Sequence, residues 1–549
     1  MTDNITRLRK RASRAGIADA DLATDAELES AMEFTALTDV DPPGQPLPNA
    51  RRFVDAEFNH QERHLLVHQG GQFYGWDGAC WPSVDDAELK AGLYQWFDGK
   101  TYLHETKDGS ERRPFAPNRY KIADLQDALR AHTHIALTVT TPSWLSAGTI
   151  VPALPADEVV SCTNGLVHWP TRTLYPHTPT FYAHHAIAFA FDPRAPAPAR
   201  WFEFLQELWP DDPESIDTLQ ELFGYLVSGD TRLQKMFLLV GPKRSGKGTI
   251  ARILKAMLGA HNVAGPTLAG IATNFGLSPL IGKPVAVIAD ARLKASDTSI
   301  VTERLLSISG EDTLTVDRKY REPWTGQLPA RIVVLSNELP RLSDSSGALA
   351  SRFIVLSMTT SFYGRENPNL TEELSEELPG IFTWALDGLE RLRARGRFIQ
   401  PKSSQEAIRE LEDLGSPVGA FVRDQCVVGA GHTVSRAQLY EVWRQWCQDH
   451  GRHATAAETF GRDIRAAVPG LRSTQPTNPD DGKRYRAYEG IGLEQVRTCS
   501  AAMYYRQSGN GASKEYSGPE HVPTCSACPK CSGEGCEWCG DTGRNPEVM

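Results

Sequence analysis

The residues in this chain best suited to carry chemistry lie in one run: Gly241, Pro242, Lys243, Arg244, Ser245, Gly246, Lys247, Gly248 and Thr249. The spacing Gly-x4-Gly-Lys lets backbone N–H groups wrap a phosphate while the lysine neutralises the charge on the outer phosphates. An apolar segment, 236–240, precedes the run and an amphipathic one follows from Ile250, the strand-then-helix setting that such a loop requires. Gly241, Pro242, Ser245, Gly246, Lys247, Gly248 and Thr249 are therefore the expected phosphate cradle. A hydroxyl that meets a magnesium ion ordinarily follows the lysine. Here Gly248 stands in that place and Thr249 comes one residue later, so either Thr249 or water must fill the ligand role.

A site of this kind also needs an acid on a neighbouring strand to hold magnesium or its water. The apolar run 283–290 ends in one carboxylate, Asp290. A third apolar run, from Arg331, ends at Asn337, an amide able to orient an attacking water. Arg352 stands just before a fourth run, 354–356, and in oligomeric ATPases an arginine so placed can reach a neighbouring subunit's γ-phosphate. Between the second and third runs, residues 310–324 gather Arg318, Lys319 and Arg321 among Asp317 and Glu322.

A second constellation lies near the C-terminus. Of ten cysteines, five fall between Cys525 and Cys539, while Cys80, Cys162, Cys426, Cys447 and Cys499 are scattered. Cys528, Cys531, Cys536 and Cys539 form two CxxC turns followed by glycines, which is the spacing of a four-thiolate Zn2+ site. The tail is similar, locally, to the zinc hairpins of J-domain co-chaperones. DNA contact, partner docking or stapling of a tail with no core of its own are its possible roles.

These sites need elements to hold them. A chain of 549 residues should carry three or four domains at roughly 100–200 residues each. Forty per cent hydrophobic and 23 per cent charged is ordinary globular composition, and no apolar run approaches the roughly 20 residues of a membrane span. The first residues lack the apolar stretch of a secretory signal, so a cytoplasmic protein with no membrane partner is expected. A net charge of −10 neither advertises nor excludes nucleic acid, since a strand-gripping channel needs few cations. Prolines across 41–50 predict a flexible N-terminal segment over 1–50 that ends in an extended linker. A mixed α+β domain follows over 51–195, with Trp76, Trp81 and Trp96 read as core. Alternating strands and helices predict an α/β domain with a largely parallel sheet over 196–400. Amphipathic helices closed by a short stranded ending, over 401–495, outline a winged helix, and 496–549 form the cysteine-rich tail.

The loop, Asp290, Asn337 and Arg352, in this order and spacing, resemble the superfamily 3 helicases, especially the primase–helicases of phages, satellite phages and poxviruses. The segment 310–324 is similar to the channel hairpin of that family, whose basic residue grips DNA; of Arg318, Lys319 and Arg321 it favours Lys319. The resemblance runs over about 51–495, where 164–179 look like part of the helicase-associated N-terminal domain. It implies a P-loop AAA+-like α/β ATPase using ATP and Mg2+, with Lys247 on phosphate, Asp290 serving magnesium, Asn337 as sensor and Arg352 as finger in trans. It further implies a homo-hexamer that moves 3′ to 5′ on single-stranded and forked DNA, beside replication proteins of the element or its host, in a bacterial cytoplasm. Many members pair two acids where this chain has only Asp290, so the general base is open, with Glu303 and Glu311 as candidates. The residues before 195 are already occupied by the helicase-associated part, so no priming domain is expected.

Two other classes compete. The loop also resembles that of nucleoside monophosphate kinases, but those begin near the loop and need arginine-rich lids, not an Asn-tipped strand. The second alternative is an ATP-binding replication initiator that recognises DNA without processive unwinding; strand displacement discriminates it.

Overall fold

The computed structural model describes residues 40–60, 63–107, 109–146, 154–289, 291, 293–344, 347–477 and 482–494. The chain divides into two units, Met1–Glu494 and Gln495–Met549, and every described residue belongs to the first. Asp290 and the tail thiols Cys528, Cys531, Cys536 and Cys539 lie outside the described residues.

Three helices, α1 (Pro46–Glu57), α2 (Asp86–Phe97) and α3 (Arg119–His132), pack with a sheet of β1 (Leu66–Gln69), β2 (Gln72–Gly75) and β3 (Ser83–Val84). A hairpin of β4 (Thr101–Thr106) and β5 (Gly109–Pro114) joins them. Phe53, Leu93, Phe97, Phe115, Ile122 and Leu125 close the common core. The carboxylate of Asp85 and the amide of Asn118 accept from first-turn N–H groups of α2 and α3, donors that have no partner inside a helix. The prolines of 41–50 do not produce an extended linker. Pro46 opens α1 instead, because proline has no N–H to lose in a first turn and its φ suits a helix there. The fully buried Asn49 staples the preceding turn, accepting from the Asp41 N–H at 2.9 Å and donating to the Asp41 carbonyl at 2.9 Å. Trp81 is buried, while Trp76 and Trp96 are half-buried against the neighbouring cores. A small antiparallel sheet of β6 (Val159–Cys162), β7 (Gly165–His168) and β8 (Thr173–Tyr175), in the order β8-β7-β6, leads onward.

The centre of the unit is a five-stranded sheet. In chain order come α4 (Ala199–Leu208), α5 (Pro213–Ser228), β9 (Met236–Val240), α6 (Lys247–Leu258), β10 (Val263–Ala264), β11 (Val285–Ile288) and α7 (Thr298–Ser309). A hairpin of β12 (Leu314–Arg318) and β13 (Arg321–Gly326) follows. Then come β14 (Arg331–Ser336), α8 (Ala348–Arg352), β15 (Phe353–Ser357), α9 (Leu370–Glu376) and α10 (Leu378–Arg395). The strand order is β10-β11-β14-β9-β15, with every neighbouring pair parallel. Alternate side chains of β9 enter opposite cores: Phe237 and Leu239 pack with residues of α4, α5, α6 and α10, while Met236 and Leu238 pack with residues of α7. A strand covered on both faces has no polar side, hence its uninterrupted apolar sequence.

The last described elements are α11 (Gln405–Gly415), α12 (Pro417–Gln425), β16 (Cys426–Ser435), α13 (Arg436–Asp449), α14 (Ala457–Ala467), β17 (Arg472–Thr474) and β18 (Ala487–Leu493). Their antiparallel sheet runs β16-β18-β17, and Phe421, Trp443, Trp446, Phe460 and Ile464 form the core beneath it. The sequence pattern did not announce β16: it is largely exposed and contains Gly429 and Gly431, so no apolar alternation marks it.

Candidate functional site

The loop after β9 leaves the sheet at its C-terminal edge and is rooted between two neighbouring strand ends. Val240 is registered with Ser336 of β14 and Ser357 of β15. The Gly241 N–H donates to the Ser336 carbonyl at 3.2 Å, and the Met358 N–H donates to the Val240 carbonyl at 2.8 Å. Behind the loop, the Phe362 N–H donates to the Arg244 carbonyl and the Ser361 hydroxyl to the Lys243 carbonyl, both at 2.9 Å. Gly246 caps α6 with φ +87°, and a Cβ there would lie 2.8 Å from Leu208 Cδ2. Backbone conformation and space both exclude a larger residue.

Lys247 is the first residue of α6 and only 8% exposed. Its Nζ donates to the carbonyls of Gly241 and Pro242, each at 2.7 Å, and to the Ser245 hydroxyl at 3.0 Å. Burial holds this amine below the ordinary lysine value. The ammonium is therefore folded over the loop that the first-turn N–H groups of α6 also face, an arrangement suited to an anion. Beyond it, the Thr249 hydroxyl accepts from Arg252 Nη2 at 3.0 Å, and Arg252 Nε donates to Thr371 Oγ1 at 3.0 Å. Arg252 was not among the residues expected from sequence; only its one-turn spacing from Gly248 could have pointed to it.

Asn337 follows directly on Ser336, the residue whose carbonyl holds Gly241, and is exposed. It thus stands at the edge of the loop. β11 runs beside β14 with Ile288 opposite Val334, so the C-terminal end of β11 lies on the same edge as Gly241.

Arg352 stands elsewhere. It ends α8 and precedes Phe353, which is registered with Met236, the first residue of β9. In a parallel sheet that is the opposite edge from Lys247. Its Nη1 donates to the Ser309 hydroxyl at 3.1 Å and the Leu306 carbonyl at 3.5 Å, at the C-terminal end of α7, where helix carbonyls welcome a cation. Glu311 lies at the same far edge: its carboxylate accepts from the Thr231 hydroxyl and its carbonyl accepts from Gln327 Nε2 at 2.7 Å. Glu303 is exposed on α7. The fold does not bring Glu311 to the loop of its own chain.

The hairpin β12–β13 divides its three basic residues. Arg321 pairs with Asp85 at 3.4 Å and Asp86 at 3.9 Å, at the start of α2. Arg318 Nε donates to the Glu322 carbonyl at 2.8 Å, and its guanidinium lies beside Gly71. Lys319 stands in the turn with its Nζ 5.1 Å from the ring centroid of Tyr320, which is 93% exposed. Among the described residues Lys319 has no acidic partner.

Against known families, the model described as D5 N terminal like matches residues 50–210 and the one described as Poxvirus D5 protein-like matches residues 416–494. Between them, a family of unknown function, DUF5906, matches residues 239–352. Solved structures similar to the chain include the A form apo structure of the NrS-1 C terminal region, at 14% identity over 77% of this chain and 94% of that one, with a TM-score of 0.43. The apo structure of the NrS-1 C terminal region (305–718) matches at 13% identity over 78% of this chain and 96% of that one, with a TM-score of 0.46.

Proposed function

We propose, from the matches to the D5 N terminal like and Poxvirus D5 protein-like models, that the chain is a D5-type primase–helicase of the phage and poxvirus kind and acts as an ATP-driven DNA helicase. In this reading it forms a homo-hexameric ring that hydrolyses ATP between subunits and moves 3′ to 5′ on single-stranded and forked DNA, in the replication of a phage or mobile element. The observation that carries the reading is the division of the sheet. Lys247 and Asn337 share one edge, and Arg352 stands at the other with no route to its own loop.

Within this reading Lys247 and the loop from Gly241 to Thr249 hold the phosphates, and Asn337 orients the attacking water. Arg352 meets the γ-phosphate held by the adjacent subunit, where it stabilises the charge that develops as the phosphoryl group leaves. The family implies Mg2+ beside the nucleotide, an ion that draws charge from the phosphate oxygens. Asp290 is the carboxylate assigned to it. Thr249, whose hydroxyl already accepts from Arg252, would serve the ion through its second lone pair.

Lys319 at the hairpin tip grips the strand in the ring's channel, with Arg318 and Arg321 behind it. The order α12-β16-α13-α14-β17-β18 and the sheet β16-β18-β17 support reading the C-terminal elements as a winged helix on a P-loop AAA+-like core. Cys528, Cys531, Cys536 and Cys539 are assigned to a structural Zn2+ on their spacing. No described helix is long and apolar enough to cross a membrane, and the bacterial host's cytoplasm is the proposed setting.

The test is displacement of a labelled strand from forked duplexes of either tail polarity, measured together with ATP hydrolysis. Wild type should do both and Lys247→Ala neither. Hydrolysis without displacement on any fork would replace the motor by an ATP-dependent initiator.

A further inference from the structure

The departure at Gly248 has a structural partner. α6 is capped by Gly246, so Gly248 is its second residue and Thr249 its third. A Cβ built on Gly248 would lie 3.3 Å from Arg252 Nη1. The guanidinium therefore crowds the place that the Cβ of a serine or threonine at 248 would take. Arg252 sits one turn further on, and helical side chains lean back towards the N-terminus, so its head lies over the first turn, against Gly248 and Thr249.

The head is held from two sides. Nε donates to Thr371 Oγ1 on α9 and Nη2 donates to Thr249 Oγ1, each at 3.0 Å. Nη1, the nitrogen over Gly248, makes no hydrogen bond among the described residues. An arginine fixed through two of its nitrogens, with the third turned towards a helix N-terminus, is poised for an oxyanion, since a guanidinium offers a planar fork of donors and keeps its charge.

We propose that Arg252 is a nucleotide-binding residue acting within its own subunit: its Nη1 contacts a phosphate oxygen of the bound nucleoside triphosphate, Thr249 and Thr371 hold it in aim, and Gly248 is the space that admits it. The proposal rests on the reading of residues 241–249 as a triphosphate-binding loop. In place of a hydroxyl that binds phosphate through a metal ion, the chain presents a fixed cation that binds it directly. Part of the nucleotide affinity should therefore persist without magnesium.

The experiment is equilibrium binding of a fluorescent ATP analogue to the full chain, with Mg2+ and again with EDTA. It compares wild type, Lys247→Ala, Arg252→Ala, Arg252→Lys, Gly248→Ser and the pair Gly248→Ser/Arg252→Ala, with thermal melting to establish that each folds. Arg252→Ala should weaken binding about tenfold or more, the scale of one charge-assisted hydrogen bond, and the larger loss should be in EDTA. Arg252→Lys should recover only part. Gly248→Ser should weaken binding by crowding Nη1, whereas the pair should bind better than Arg252→Ala with Mg2+ and no better in EDTA. Arg252→Ala binding like wild type in both conditions, while Lys247→Ala fails, overturns the proposal and leaves the loop's role intact. No binding by wild type overturns the loop reading and the proposal with it.

Discussion

Lys247 and Arg352 stand at opposite edges of one parallel sheet: Lys247 follows the C-terminal end of β9, and Arg352 immediately precedes the N-terminal end of β15, whose Phe353 is registered with Met236. Five residues of strand separate the two edges, about 16 Å at roughly 3.3 Å per residue. No arginine side chain spans that distance around a buried sheet. An arginine finger at 352 must serve a loop other than its own.

That relationship predicts complementation. Lys247→Ala and Arg352→Ala should each abolish ATP hydrolysis alone, by roughly a thousandfold or more for a finger residue. Mixed and allowed to form rings, they should regain activity, because an Arg352→Ala subunit still offers Lys247 to an Arg352 from its neighbour. About a quarter of the sites in a randomly mixed ring would be intact. Steady-state hydrolysis against mixing ratio reads this directly, and a flat line excludes catalysis in trans.

The hairpin predicts unequal basic residues. Lys319→Ala should reduce the slope of log affinity for single-stranded DNA against log salt by about 0.7 for each phosphate the side chain neutralises. Hydrolysis without DNA should be unchanged. Arg321→Ala should have the smaller effect, because Asp85 and Asp86 already engage its guanidinium. Fluorescence anisotropy across a salt series separates the two.

A pH dependence of stability follows from His184 and His185, both half-buried and both pushed down to about 3 by loss of solvent around the ring, with repulsion from Arg331 adding at His185. The folded chain refuses protons that the unfolded chain accepts below about 6.5. Their contribution is therefore complete above that pH and is lost as pH falls towards 3. Two such groups remove about 3 kcal/mol between pH 7.5 and 5.5. His184→Phe should keep the stack on Tyr74, now 4.1 Å between ring centroids, and halve that loss. Urea midpoints at the two pH values measure it; equal losses in both proteins would dismiss His184 as a source.

The cysteine tail predicts stoichiometric metal. Purified full chain should carry one Zn2+ per subunit by elemental analysis, and Cys531→Ala/Cys536→Ala should carry none, because a structural site needs all four thiolates. Zinc retained by the double variant would remove the assignment of Cys528, Cys531, Cys536 and Cys539.

Much of the central sheet was legible because its strands are buried on both faces. Met236–Val240 matches the apolar run residue for residue, since side chains on both faces of that strand enter apolar cores. The glycine-rich loop was legible for a related reason: its backbone demands leave few residue types to choose from. The N-terminal prolines misled, because proline signals both an extended linker and a helix's first turn. Only the hydrogen bonds of Asn49 decide between them. β16 escaped notice because an exposed strand carries no apolar alternation to read.

By itself the sequence determined which residues carry charge, which backbone positions must be glycine and where the apolar strands run, since these follow from local covalent chemistry and burial. Tertiary structure alone decided the order β10-β11-β14-β9-β15. Through that order it set Asn337 beside the loop and put Arg352 and Glu311 at the far edge. It also brought Asp85 and Asp86 to Arg321, and Thr371 to the guanidinium that covers Gly248. Distances between residues far apart in the chain depend on how strands pair and helices pack, and no local pattern of residue types encodes them.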